Sequence, residues 1–214
     1  LSNNQINTIN LENNLLLKNI DVTRNDITNI NLENNTNLVS LNCSFNSMSE
    51  LNLSNKVYLE DINCEDNNIH ILNLSNSPNI KTLWCSRNAI TNLDLQNKNQ
   101  LYQLFAGDNL ISSMDVSSCS SLSWIWLYSN NLSSLNVANG NNIFMTGPPT
   151  GGGLFYIPDF TNNPNLNCIT VDNVDICSEW WNTEGYPIFN NPNGYVAIDS
   201  QMYFSLDCSS NIME

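Results

Sequence analysis

The chain has 214 residues, with six Lys and Arg against 20 Asp and Glu and a formal net charge of -14. That balance offers no cationic footprint for nucleic-acid phosphate. No apolar run approaches the roughly 20 residues of a membrane helix, and no apolar N-terminal stretch marks a signal peptide. Only 12% of residues are charged and 41% hydrophobic, because asparagine supplies 44 of the 214. Composition of that kind also suits a disordered, aggregation-prone chain, so the spacing of the asparagines has to decide.

That spacing is regular. Asn4, Asn25, Asn46, Asn67, Asn88, Asn109 and Asn130 follow one another at intervals of 21. Apolar residues recur in step, as in Leu17, Ile20, Val22 and Ile27, then Leu38, Leu41, Cys43 and Met48. A second half follows in each period, from Ile30 and Leu32 to Leu135 and Val137. Each period therefore reads L-x-x-L-x-L/C-x-x-N-x-I-x-x-L-x-L-x-x-N, its first Leu being position 1 and its first Asn position 9. Alternation within L-x-L predicts short strands, and no window keeps a helical stripe. A single period cannot bury its apolar face, but stacked periods bury a continuous core. The position-9 asparagines (Asn25, Asn46, Asn67, Asn88, Asn109 and Asn130) are predicted to form a structural ladder, each amide satisfying backbone groups where the chain bends.

After Asn139 the register fails. Ile143 opens another period, but Gly147-Pro148-Pro149-Thr150-Gly151-Gly152-Gly153 replaces its strand end, a run that reads as turn or flexible loop. Leu166 is the next match, 23 residues past Ile143, which predicts two extra residues in this period. The insertion is read either as a mobile loop beside a ligand site or as a tolerated surface change.

Outward strand positions carry the recognition signal. Position 3 runs Asn19, Ser40, Asp61, Thr82, Gln103, Trp124; position 5 runs Asp21, Asn42, Asn63, Trp84, Phe105, Trp126; position 7 runs Thr23, Ser44, Glu65, Ser86, Gly107, Tyr128. This face is polar in the early turns and aromatic in the last three. With Tyr102 at position 2, the predicted ligand-binding patch is Trp84, Tyr102, Phe105, Trp124, Trp126 and Tyr128, and Phe144 and Met145 are expected to prolong it. A contiguous apolar patch marks an interaction site unless the Gly-rich loop or the tail, with Trp180, Trp181 and Tyr186, covers it. Asn10, Asn31, Asn52, Asn73, Asp94, Asp115 and Asn136 form a polar column on the second half. Glu60, Asp61, Glu65 and Asp66 are read as a solvated acidic face, with Ca²⁺ binding the sharper alternative.

Cys43, Cys64 and Cys85 fall at the inward position 6 of successive turns. One strand spacing apart and pointing the same way, they suit neither a disulfide nor a tetrahedral zinc site, and are expected to be buried thiols; Cys119 lies in a turn as an isolated thiol. His70 stands without a nucleophile at motif spacing, and no G-x-S-x-G, H-E-x-x-H or P-loop pattern occurs. The expectations are no catalytic residue, no metal and no cofactor.

The L-x-x-L-x-L/C-x-x-N pattern resembles the leucine-rich repeat family, and most of all its bacterial 21-residue (IRREKO-type) subclass, whose two halves are near copies. The resemblance covers Leu1 to about Asn139. It implies a mainly β, right-handed solenoid of short parallel strands with few helices and a non-repeat cap, used for recognition far more than for catalysis. The segment Asn163-Pro164-Asn165-Leu166-Asn167-Cys168-Ile169-Thr170-Val171-Asp172 with Cys208 resembles the C-terminal cap of secreted Bacteroidetes members. It implies export to the medium or cell surface and a Cys168–Cys208 disulfide, with Cys177 an extra cysteine and competing partner. The organisation reads as repeats over 1–142, a degenerate repeat with a Gly/Pro-rich insertion over 143–165, and a cap over 166–214. Leu1, Asn4 and Ile6 match Val22, Asn25 and Ile27, so the chain starts in mid-repeat and reads as a fragment. The expected partner is a protein held on the aromatic face; a glycan and a purely architectural role are the alternatives, with no nucleic acid and no membrane insertion.

Overall fold

The structure, a computed structural model, describes residues 1–142, 158–181 and 198–209. The L-x-L alternation becomes three-residue strands with the middle side chain buried and its neighbours turned outward. First-half strands β1 (Asn19–Asp21), β2 (Ser40–Asn42), β4 (Asp61–Asn63), β6 (Thr82–Trp84), β7 (Gln103–Phe105) and β9 (Trp124–Trp126) build one six-stranded parallel sheet. Its register steps by one repeat at every pairing, Asn19 to Ser40 and so on to Gln103 against Trp124. Second-half strands make a pair, β3 (Glu50–Asn52) with β5 (Ile71–Asn73), and a sheet of four: β8 (Ser113–Asp115), β10 (Ser134–Asn136), β11 (Cys168–Thr170) and β12 (Tyr203–Ser205). Among the described helices, α1 (Val174–Trp180) is capped by Asn173, whose side chain accepts the Ile176 N–H.

Between the two sets of strands lies one continuous core. Ile20, Leu41, Ile62, Leu83, Leu104 and Ile125 enter it from the first half, and Leu51, Leu72, Met114 and Leu135 from the second. Each such burial is worth about 1.5–3 kcal/mol, and no turn could realise it without its neighbours. Cys43, Cys64 and Cys85 are wholly buried free thiols in this column.

The asparagine ladder works through four bonds per turn. Asn67 Nδ2 donates to the carbonyls of Cys43 (3.1 Å), Cys64 (3.2 Å) and Glu65 (3.2 Å), and its Oδ1 accepts the Met48 N–H (3.0 Å). Asn25, Asn46, Asn88, Asn109 and Asn130 repeat the set one turn on each time. The residue before each is left-handed although none is glycine: Arg24 (φ 54), Phe45 (54), Asp66 (53), Arg87 (55), Asp108 (51) and Ser129 (52). Such a conformation costs about 1–2 kcal/mol per residue, and the bend it makes is fixed by the amide that follows. At the corresponding second-half position the chain uses other donors. Asn35 Nδ2 and Ser77 Oγ reach back to the carbonyls of Leu11 and Leu53. Lys56 and Lys98 bury their stems there, with Nζ on the carbonyls of Ser54 and Gln96.

The irregular turn differs from its sequence reading. Trp126 bridges to Asp159, Leu127 N–H donates to Asp159 O (2.7 Å) and Ser129 N–H to Thr161 O (2.9 Å). Asn163 then makes the four ladder bonds, to Leu127, Phe160 and Thr161 and from Leu132. Asn163 follows Asn130 by 33 residues, so this turn holds twelve extra residues, not two. They precede Asp159, which bridges Trp126 with the same offset. Leu166 accordingly sits in the second half beside Leu132, since Leu135 pairs with Ile169. Ile143, Phe144, Met145 and the Gly147–Gly153 run fall outside the described residues, as does their reading as a loop.

The far end of the core is closed by three devices. Trp181 is wholly buried, edge-on to Phe160 (5.8 Å) and Phe204 (5.7 Å). Asp199 takes the N–H groups of Asn162 and Asn163 (3.1 Å each), which in regular turns donate to carbonyls of the next turn, as Arg87 and Asn88 do to Gly107 and Asp108. Cys168 and Cys208 form the disulfide, with Cα atoms 5.8 Å apart and 40 residues between them in sequence. Cys177, the competing partner, is a buried free thiol 3.9 Å from Asn142 Oδ1. Closing a loop of this length contributes about 4 kcal/mol. Cys208→Ser is therefore expected to loosen the cap by about that amount, read as an early urea transition in Trp181 emission and lost protection of the β12 amides.

Candidate recognition face

Position 5 of the first-half sheet follows a local rule. Asp21, Asn42 and Asn63 each place a side-chain oxygen on the N–H two residues ahead, at Thr23 (3.0 Å), Ser44 (3.2 Å) and Glu65 (3.1 Å). Asp159 does the same for Thr161 (3.0 Å). The second-half column obeys it throughout, from Asn10 and Asn31 to Asp115 and Asn136. These are Asx turns, so the polar column of the second half is committed to its own backbone. In three consecutive turns the rule lapses: Trp84, Phe105 and Trp126 have no oxygen to offer.

Instead the three rings stack on one another. Trp84 and Phe105 have centroids 5.6 Å apart at 26°, and Phe105 and Trp126 4.3 Å apart at 19°. The register that pairs Trp84 with Phe105 and Phe105 with Trp126 sets this spacing. Both faces of the Phe105 ring are thus covered by neighbouring rings. Tyr102 meets Trp124 edge-on at 6.4 Å. Trp84 Nε1 is held by Gln103 Oε1 (3.4 Å). Tyr128 lies over Gly107, where a Cβ would come within 2.4 Å of the ring. All six predicted patch residues are thus brought to one face; Tyr102 is exposed and the other five are half-buried. Of the tail aromatics expected to cover it, Trp181 is spent in the cap. The Trp180 side chain and Tyr186 fall outside the described residues.

The surroundings are acidic. Arg87 makes a two-point bridge to Asp66 (2.7 Å on both arms) and lies 3.7 Å from Glu65; Lys81 bonds Glu60 (2.7 Å). Asp61 accepts the Thr82 hydroxyl (2.7 Å). Glu60, Asp61, Glu65 and Asp66 thus have partners of their own, and among the described residues no three His, Cys, Asp or Glu side chains converge on a point. Burial pushes Glu65 and Asp159 upward. The Tyr128 phenol is also raised, first by burial, then by Asp108, Glu65 and Asp159 acting against Arg87. Sequence reasoning missed Gly107 as the seat of Tyr128, although a lone glycine in the position-7 column was a visible signal.

No protein-family model and no curated protein matches the sequence. Solved structures do. The functional domain of InlJ from Listeria monocytogenes, described as including a cysteine ladder, aligns over 92% of this chain with a TM-score of 0.60 and 22% identity. Internalin C2 from the same organism aligns over 80% (0.55, 21%), and the Leptospira interrogans leucine-rich-repeat protein LIC12759 over 75% (0.53, 18%). The chain spans 41% of the InlJ domain, 69% of internalin C2 and 40% of the Leptospira protein. No helix among the described residues is long and apolar enough to cross a membrane. Period, strand register, asparagine ladder and structural likeness converge: the chain folds as a bacterial-type leucine-rich-repeat solenoid with 21-residue turns.

Proposed function

We propose that the chain is a non-catalytic recognition module, secreted or displayed at the cell surface, that binds a protein partner through its first-half sheet. One observation carries this reading: three successive turns give up a local hydrogen bond, worth about 1 kcal/mol each, for aromatic rings on an outward face. Nothing in the stacking of turns asks for that exchange, because Asp21, Asn42, Asn63 and Asp159 satisfy the same position without it. Trp and Tyr clusters dominate protein hot spots. A sugar-stacking platform is disfavoured, since carbohydrate rings lie on aromatic faces and those of Phe105 are taken. Export is supported by the cap disulfide, which belongs in an oxidising compartment, and by the family resemblance.

The double variant Trp84→Ala and Trp126→Ala is expected to keep the fold by circular dichroism while losing at least about tenfold in affinity for a protein ligand. Unchanged affinity would overturn the reading. Glycan-array binding without a protein ligand would replace it by the carbohydrate alternative.

A further inference from the structure

All six Lys and Arg residues lie at or before Lys98, so residues 99–214 contain ten Asp and Glu and no cation. The aromatic row sits where this uncompensated half begins. Of the cations nearest to it, Lys81 and Arg87 are already paired with Glu60 and Asp66. Arg24 is stacked on Phe45 (4.2 Å), and Lys56 and Lys98 are buried on the second half. The strand residues that carry the rings bear no charge at all, while Asp61, paired with Thr82 in the sheet, and Asp108, three residues past Phe105, are exposed. The face is thus an apolar strip whose uncompensated charges are negative.

From this charge complementarity we infer that the partner is a basic protein segment, its apolar side chains on the aromatic row and its Lys or Arg side chains on Asp61 and Asp108. This rests on the recognition reading above and names the chemistry of its partner. An acidic or neutral segment would meet like charge or nothing at the rim, and rim charges chiefly set association rate and salt dependence.

The test uses the whole chain and two synthetic peptides of identical leucine and tyrosine content, one rich in lysine and the other in glutamate, followed by fluorescence anisotropy. The lysine peptide is expected to bind, weakening about tenfold from low to physiological salt, and the glutamate peptide not to bind. Asp61→Asn with Asp108→Asn should weaken the lysine peptide about fivefold. Asp94→Asn with Asp115→Asn, which removes equal charge from the second half, should leave it unchanged. Equal weakening by both pairs would mean diffuse attraction to an acidic protein and would overturn the inference. Equal binding of both peptides, lost with Trp84→Ala and Trp126→Ala, would overturn it while leaving the recognition face intact. Lysine-peptide binding insensitive to the tryptophan variants would overturn it together with that face.

Discussion

Asn109→Ala is expected to destabilise the solenoid by about 4 kcal/mol, measured as the urea midpoint shift of the global transition. Asn109 is 5% exposed and serves four backbone groups: it donates to the carbonyls of Cys85 (3.0 Å), Ala106 (3.2 Å) and Gly107 (3.2 Å) and accepts the Ile90 N–H (3.0 Å). Alanine leaves these groups buried with no replacement, and each such loss costs about 1–3 kcal/mol. Asp108, immediately before it, holds a left-handed backbone that the amide helps to pin. Asn109→Asp separates shape from hydrogen bonding. Its carboxylate keeps the acceptor but faces three carbonyl oxygens without a proton to donate, so it should cost at least as much as alanine at neutral pH. An aspartate variant as stable as the parent would show that the ladder acts by filling space.

Alkaline pH should unfold the chain steeply. Cys43 and Cys177 are pushed up to about 12, and Cys119 to about 11, in each case first of all by burial. Cys64 and Cys85 are raised for the same reason. In the unfolded chain these thiols ionise from about 8.5 upward. Between there and the folded values the native state binds more protons than the unfolded state. Stability is therefore intact below about 8.5 and falls as pH rises, by about 1.4 kcal/mol per pH unit for each thiol. Of the five, Cys43, Cys64 and Cys85 together contribute about 4 kcal/mol per pH unit to that slope. Replacing all three by alanine should flatten the alkaline limb of a stability–pH curve even though it lowers stability at neutral pH. An unaltered slope would show that other groups govern the alkaline limit.

What was legible in the sequence followed from its period. The ladder from Asn25 to Asn130, the inward thiols and the gathering of Trp84, Phe105 and Trp126 all come from counting in steps of 21. Length variation defeated that method. Asn163 stands among Asn162, Asn165 and Asn167, and once twelve residues intervene nothing in the letters says which of them closes the turn. Side-chain substitution hid other features. Lys56 and Lys98 occupy a second-half position where Asn35 and Ser77 serve, because a long stem can bury its methylenes and still bring Nζ to a carbonyl. The carboxylate of Asp199 standing in for two carbonyls depends on a contact across more than 35 residues, which no local pattern announces.

Because Asn163 restores the same four bonds as Asn130, the stack counts asparagines and is indifferent to the chain length between them. Lengthening such a segment twofold adds only about 0.6 kcal/mol of closure entropy. The turn from Asn130 to Asn163 is longer than its neighbours, yet Trp126 still bridges Asp159 and Leu132 still bonds the Asn163 amide. Register along this stack is therefore set by the positions that bond across turns, not by the number of residues between them.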